Sequence, residues 1–221
     1  MRQAVAMSIN RPELVRWRGQ DVSREAQSVV PRGYLSFTAD NGLLGPNIPK
    51  AKQLLAEAGY PHGFIMHILD VKALGFDTLA QAISGELAAV GITAIPVDAS
   101  NPGDYFGKLA SGRYETSILG FGGLPGYFLY GLLFGPGATQ FNPLKTRSSV
   151  LDSAYQSLLP LSAAQATQYS QEMVSYVTNQ AWFAIAVSTP FVAFGVKGID
   201  GSQAQTNGRR EWYLPELHPA A

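Results

Sequence analysis

The side chains best suited to chemistry gather in GFGGLPGYFLY, Gly120 to Tyr130, where Phe121, Tyr127, Phe128 and Tyr130 are interspersed with Gly122, Gly123 and Gly126. Glycine lets a ligand approach the backbone closely, and aromatic rings supply rigid apolar walls. The chemistry implied is recognition of a small molecule. A competing reading stays open: Tyr127 to Phe134 can form a buried helix that only packs the core. Bond-making chemistry has little support, because neither a G-x-S-x-G nucleophile elbow nor a P-loop occurs in the chain. Gly120 to Gly126 comes close to the dinucleotide fingerprint, but Pro125 stands where its last glycine should be. A Rossmann-like nucleotide-binding enzyme domain using this loop is therefore the rival reading. His62 and His67 lie five apart across a turn-to-strand junction, and His218 is remote, so a shared metal is not expected. Asp70, Asp98 and Asp104 stand near strand ends and could hold a hard cation, although helix capping accounts for Asp104 without one. No catalytic residue, metal or cofactor is expected.

The elements that must position the loop can be read from caps and periodicity. A helix is predicted from Arg2 to Ile9, followed by Asn10 as N-cap of the next, with Glu13 placed to complete a capping box. In KAKQLLAEAGYPHGF, Lys50 to Phe64, Ala51, Leu54, Leu55 and Ala58 share one helix face. Gly59 supplies the positive φ of a C-terminal cap, and Pro61 prevents continuation. A strand follows at Phe64 to Val71, a helix at Phe76 to Val90, a strand at Ile92 to Asp98, a short helix capped by Asn101, and a strand at Tyr114 to Gly120. This β-α-β-α-β order with short spacings predicts right-handed crossovers and a parallel core sheet with flanking helices, an α/β fold. Two helices are predicted after the glycine-rich loop, opening at Ser149 and at Ser162, and an extended stretch runs from Ala181 to Gly195, interrupted by Pro190.

Composition narrows the class. The chain has 221 residues, 46% of them hydrophobic, enough for one domain with a full core. Its 16 lysines and arginines balance 16 aspartates and glutamates, so no basic face for nucleic acid is evident. The absence of cysteine excludes disulfides and thiolate metal sites. Thr116 to Leu144 carries no charge and is long enough to span a bilayer, yet Ile118 to Gly137 holds seven glycines and two prolines, which a sustained helix would accommodate at a cost. It is read as a strand and ligand loop.

Two segments in order, RQAVAMSINRPELV (Arg2 to Val15) and KAKQLLAEAGYPHGF, resemble the solute-binding proteins of bacterial ABC importers for dipeptides, oligopeptides and nickel, solute-binding protein family 5. A third, SGRYETSILGFGG (Ser111 to Gly123), is similar to the family's strand and ligand loop, G-x-Y-D-x-x-x-x-G-W-G-x-D. The resemblance implies a periplasmic-binding-protein-like lobe. Residues 1–190 would be the C-terminal ligand-binding lobe, and 191–221 a late cross-over strand and tail returning to an N-terminal lobe outside this chain. Because the family's pattern begins earlier, the chain is expected to be a cut-down piece of a longer protein bearing a signal peptide or lipoprotein anchor. It further implies a periplasmic or extracellular, membrane-anchored location, a small-molecule or peptide ligand, and an ABC transporter permease as partner. No enzymatic activity is implied. An isolated lobe would expose the face that its other half covers, so a dimer through that face is a further expectation.

The resemblance also sharpens individual positions. Peptide-binding members pair the motif's aspartate with the peptide α-amino group, but the matching segment here is Gly120-Phe121-Gly122-Gly123-Leu124. Leu124 cannot form that pair and fits an apolar wall, which points to a blocked or non-peptide ligand or to an acid from the other lobe. QFNPLK, Gln140 to Lys145, is similar to the family's N-(Y/F)-x-N-P segment, so Asn142 either bonds a ligand or caps the turn before Pro143. VVPRGYLSF, Val29 to Phe37, looks like the family's L-x-P-P-G-x-x-G-Y segment with Arg32 replacing a proline. Arg32 could meet a ligand carboxylate or remain a solvated loop residue.

Overall fold

Two short helices open the chain, α1 (Arg2–Ser8) and α2 (Arg11–Arg18), and the asparagine between them explains the break. The computed structural model describes residues 1–18, 23–34, 36–39, 45–120, 126–135, 138, 141–142, 144–158, 162–189, 199–200 and 218–219. Asn10 Oδ1 accepts the Glu13 N–H at 3.3 Å, and its Nδ2 donates to Glu13 Oε2 at 3.0 Å. Only half of the expected capping box forms. The Asn10 N–H donates instead to Glu86 Oε2 at 3.0 Å, so a distant helix completes the cap.

A two-residue strand, β1 (Arg24–Glu25), precedes α3 (Ile48–Glu57). Asn47 Oδ1 accepts the Lys50 N–H at 3.1 Å, and Pro49 sits in the first turn, where its missing donor costs nothing. The helix stops where predicted, with Gly59 at φ +87°. Its buried face, Ala51 and Leu55, packs into the principal core.

Next come β2 (Ile65–Val71), a single 3₁₀ turn at Lys72–Leu74, α4 (Phe76–Ala88), β3 (Thr93–Ala99), α5 (Pro102–Ala110) and β4 (Thr116–Ser117). The three strands form the predicted parallel sheet in the order β3-β2-β4, with Asp70 opposite Asp98 and Ile68 opposite Thr116. The third strand is shorter than the expected Tyr114 to Gly120. Only Thr116 and Ser117 pair, with the Ile118 N–H reaching Leu69 O at 2.9 Å just beyond them. Two glycines make the β2/β3 entry feasible. Gly63 and Gly91 have φ +78° and +87° and cross back to back. A Cβ at Gly91 would lie 2.9 Å from the His62 carbonyl oxygen, and one at Gly63 would run into the Gly91 carbonyl.

Strand alternation divides the core. Met66 and Ile68 face α4, where Leu79, Ile83 and Leu87 join Leu14 and Leu55. Leu69 and Val71 belong to a second cluster with Tyr105 of α5, whose hydroxyl donates to Ile118 O at 2.8 Å. A third cluster is built by α6 (Gly126–Leu133), α7 (Ser149–Leu158) and α8 (Ala163–Asn179), through Tyr130, Leu133, Phe134, Leu151, Met173 and Val177. The Ser162 capping box forms in full and starts α8.

The late extended stretch is strand only at β5 (Val187–Ser188), antiparallel to β1. Residues 190–198, where the expected cross-over strand begins, lie outside the described residues. Further on, β6 (Ile199–Asp200) pairs antiparallel with β7 (His218–Pro219). Among the described residues no helix is long and apolar enough to cross a membrane.

Candidate functional site

A cavity of about 1370 Å³ lies between the α4 face of the sheet and the three-helix cluster. One wall is Met66, Ile68, Phe76, Leu79 and Ile83; the facing wall is Tyr130, Leu133, Phe134, Met173 and Val177. Residues 23–32 and 182–189, which carry the β1–β5 pair, line it as well, and Thr116 to Gly120 complete it past the end of β4. The cavity lies against the face of the sheet and reaches a strand end only at β4; the carboxyl ends of β2 and β3 are not in its lining. Apolar walls interspersed with polar groups, among them Gln27, Ser28, Thr116, Ser117, Ser188 and Thr189, are suited to holding a solute.

Tyr130 shows how the helical wall is held rigid. It is 3% exposed, stacks on Tyr155 with ring centroids 4.5 Å apart, and its hydroxyl donates to the Asp152 carboxylate. Arg147 Nη2 lies 3.3 Å from the same carboxylate and its Nη1 donates to Phe134 O at 3.1 Å. Burial, then the hydrogen bond to Asp152, pushes the Tyr130 phenol well above its ordinary range. Tyr130 is therefore a neutral donor, serving both the core and the cavity wall.

The residues singled out by sequence fall in different places. Phe121, Gly122, Gly123 and Leu124 lie outside the described residues; the loop leaves from Gly120, which is on the cavity wall. Tyr127 and Phe128 belong to α6, the helix that the competing reading anticipated, and their side chains are outside the described part. Arg32 is exposed on the cavity wall, donates to Gln27 Oε1, and sits 4.9 Å from the Phe37 ring centroid. Asn142 spends both ends of its amide on Thr146, donating to its carbonyl at 2.7 Å and accepting its N–H at 2.8 Å. That is the geometry of the turn role.

Asp70 and Asp98 stand opposite one another on β2 and β3, but among the described residues no three metal-ligating side chains cluster. Asp98 Oδ1 accepts the Lys72 N–H at 2.8 Å. Asp104 accepts the Ser100 N–H at 2.9 Å and Lys108 Nζ at 3.0 Å; these contacts hold its carboxyl below the usual range. Asp70 is 0% exposed, and neither oxygen has a hydrogen-bond partner among the described residues. Burial, reinforced by the charges of Asp98 and Asp77, pushes its carboxyl up. His67 is partly exposed, with Nδ1 3.1 Å from Glu115 Oε2 on the outer side of the sheet.

Sequence reasoning missed two features. Arg16, Arg18 and Arg24 line the cavity beside Arg32, and Trp182 and Phe183 close it. No local pattern marks them, since each reaches the cavity through a long-range contact. Glu86 is the other. It is half-buried, and burial pushes its carboxyl up to about 7 against the opposing pull of the Asn10 N–H and Arg11.

Against known proteins, the family model of bacterial extracellular solute-binding proteins, family 5 Middle, matches residues 1–140. The chain is 28% identical over 211 residues to heme-binding protein A of Haemophilus influenzae, covering 90% of this chain and 38% of that relative. Two solved structures share the fold. HbpA2 from Haemophilus parasuis superposes with a TM-score of 0.78 at 20% identity, over 100% of this chain and 45% of that one. A Pseudoalteromonas dipeptide binding protein in complex with Met-Leu gives 0.77 at 17% identity, over 99% and 45%.

Proposed function

Since this chain belongs to the bacterial extracellular solute-binding proteins of family 5, we propose that it forms part of the substrate-binding component of an ABC importer. The reading has it capture a small solute outside the cytoplasmic membrane and hand it to the permease. The observation that carries this is the cavity of about 1370 Å³ between the sheet face and the helical cluster, whose mixed apolar and polar lining suits binding of a small solute. No bond need be made or broken. In this reading residues 1–190 act as the C-terminal lobe, and 191–221 lead back to a second lobe that closes the other side of the ligand. Closure of two lobes on a solute is the state a transporter reads. A membrane anchor on the full-length protein keeps the receptor near its permease.

Specificity is assigned to the loop Phe121 to Leu124 with Tyr127 and Phe128 behind it, and Arg32 approaches ligand carboxylates from the cavity rim. The ligand is a peptide or a related small solute; the relatives' names include heme and a dipeptide. Leu124 offers no carboxylate to a free peptide ammonium, so a blocked or non-peptide solute is favoured.

Native mass spectrometry of the protein purified under mild conditions should detect a bound small molecule, and calorimetry with that compound should show saturable binding. A protein that carries nothing and binds none of a panel of peptides, metal–histidine complexes and organic acids would refute the assignment. Thermal stabilisation by nucleotides alone would favour the Rossmann-like alternative.

A further inference from the structure

Charge is distributed unevenly around the cavity. Among the described residues, its wall carries four arginines, Arg16, Arg18, Arg24 and Arg32, and a single acid, Glu25. The whole chain is balanced at 16 cationic and 16 anionic side chains, so this is a local concentration and not a reflection of composition. All five charged groups come from one stretch of the chain, residues 16–32; the lining residues from Met66 to Thr189 are uncharged. Among the described residues Arg16, Arg18 and Arg32 form no ion pair. Arg32 donates to the Gln27 amide and lies over the Phe37 ring, neither of which cancels its charge.

Helix polarity explains part of this arrangement. Arg16 and Arg18 occupy the last turn of α2, where a cation complements the helix dipole. Arg24, in β1, donates to Ser23 O at 2.8 Å, while Arg32 lies in the following loop, outside any helix, where no helix dipole favours a cation. Every cation on the wall is an arginine, although the chain also uses lysine. Guanidinium is weakly hydrated and presents a planar donor fork that matches a carboxylate or phosphate.

We propose that the cavity selects an anionic solute with an apolar body, which lies against the Phe76, Leu79, Tyr130 and Phe134 walls while its acidic groups meet the arginines. This rests on the solute-binding reading above and names the class of solute. A free peptide would bring its ammonium among like charges and apolar walls.

Three probes of one chain length separate the contributions: dodecanedioic acid, dodecane-1,12-diol and 1,12-diaminododecane. Calorimetry on the protein should show the diacid binding at least tenfold more tightly than the diol, with the diamine weakest. The diacid's advantage should shrink as salt is raised, because exposed charges are screened. The Arg16→Gln/Arg18→Gln/Arg32→Gln variant, checked by circular dichroism for an unchanged fold, should lose the diacid's advantage and keep its affinity for the diol. If that variant does not fold, Arg32→Gln alone should reduce diacid affinity severalfold. Equal binding of the three probes, preference for the diamine, or variants with unaltered diacid affinity would overturn the proposal. Binding of trialanine with none of the three probes would overturn it too while leaving the solute-binding function standing; failure to bind any solute would sink both.

Discussion

Replacing Glu86 by glutamine should stabilise the protein above neutrality and leave its stability nearly unchanged in acid. The folded state holds this carboxyl at about 7, against 4.5 for a free glutamate, chiefly because burial disfavours the charge. Between those values the folded chain keeps a proton that the unfolded chain has released, so the wild type loses stability as pH rises through this window and then levels off. At about 1.36 kcal/mol per pH unit for one proton, the ceiling is roughly 3 kcal/mol. Partial hydration of Glu86 brings the expected gain nearer to about 1–2 kcal/mol, since screening weakens such effects. Glutamine is the informative replacement because its amide oxygen can still accept the Asn10 N–H that closes the cap of α2. Urea denaturation of both proteins at about pH 4, 6 and 8 measures the difference directly. Asp104 and Glu115, whose carboxyls are held low, give the opposite pH dependence, but they contribute alike to both proteins and cancel. A stability difference that stays constant across the range would refute the reasoning, because only a titrating Glu86 makes the gap widen with pH.

Other perturbations probe the frame and the loop. Gly91→Ala should cost about 2 kcal/mol or more, because its φ of +87° disfavours a side chain and the new Cβ meets the His62 carbonyl; an unchanged denaturation midpoint would mean that this crossing is not as tight as described. Asp70→Val should raise stability at neutral pH by about 1 kcal/mol or more, since it removes a buried carboxyl without hydrogen-bond partners among the described residues. A loss of stability in the same assay would reveal a compensating partner. Leu124→Asp should raise the affinity for free tripeptides about tenfold, about 1.4 kcal/mol, by supplying a carboxylate to the ammonium. Calorimetry showing no gain would remove Leu124 from the specificity loop.

The sequence by itself determined what local chemistry controls. Asn47, Asn101 and Ser162 start helices because each side chain accepts a backbone N–H three residues on. Gly59 ends α3 for an equally local reason, its positive φ. Apolar runs separated by these punctuation marks were enough to order β2, α4, β3, α5 and β4 into a parallel sheet. Spacing also exposed the aromatic and glycine content of residues 120–130, and with it the expectation of a recognition loop. Only the tertiary structure decided which distant groups meet. The partner of the Asn10 N–H is Glu86, 76 residues away, where a local capping box had been expected to suffice. Nothing in Arg24-Glu25 or Val187-Ser188 announces that they pair, because two-residue strands carry no periodicity. The length of β4 was likewise decided in three dimensions: only Thr116 and Ser117 pair with β2, although β2 itself runs from Ile65 to Val71. The arginine lining of the cavity is the clearest case. Arg16, Arg18, Arg24 and Arg32 look like ordinary surface cations in the sequence. They come to line one cavity only when long-range packing brings α2 and β1 together with β5.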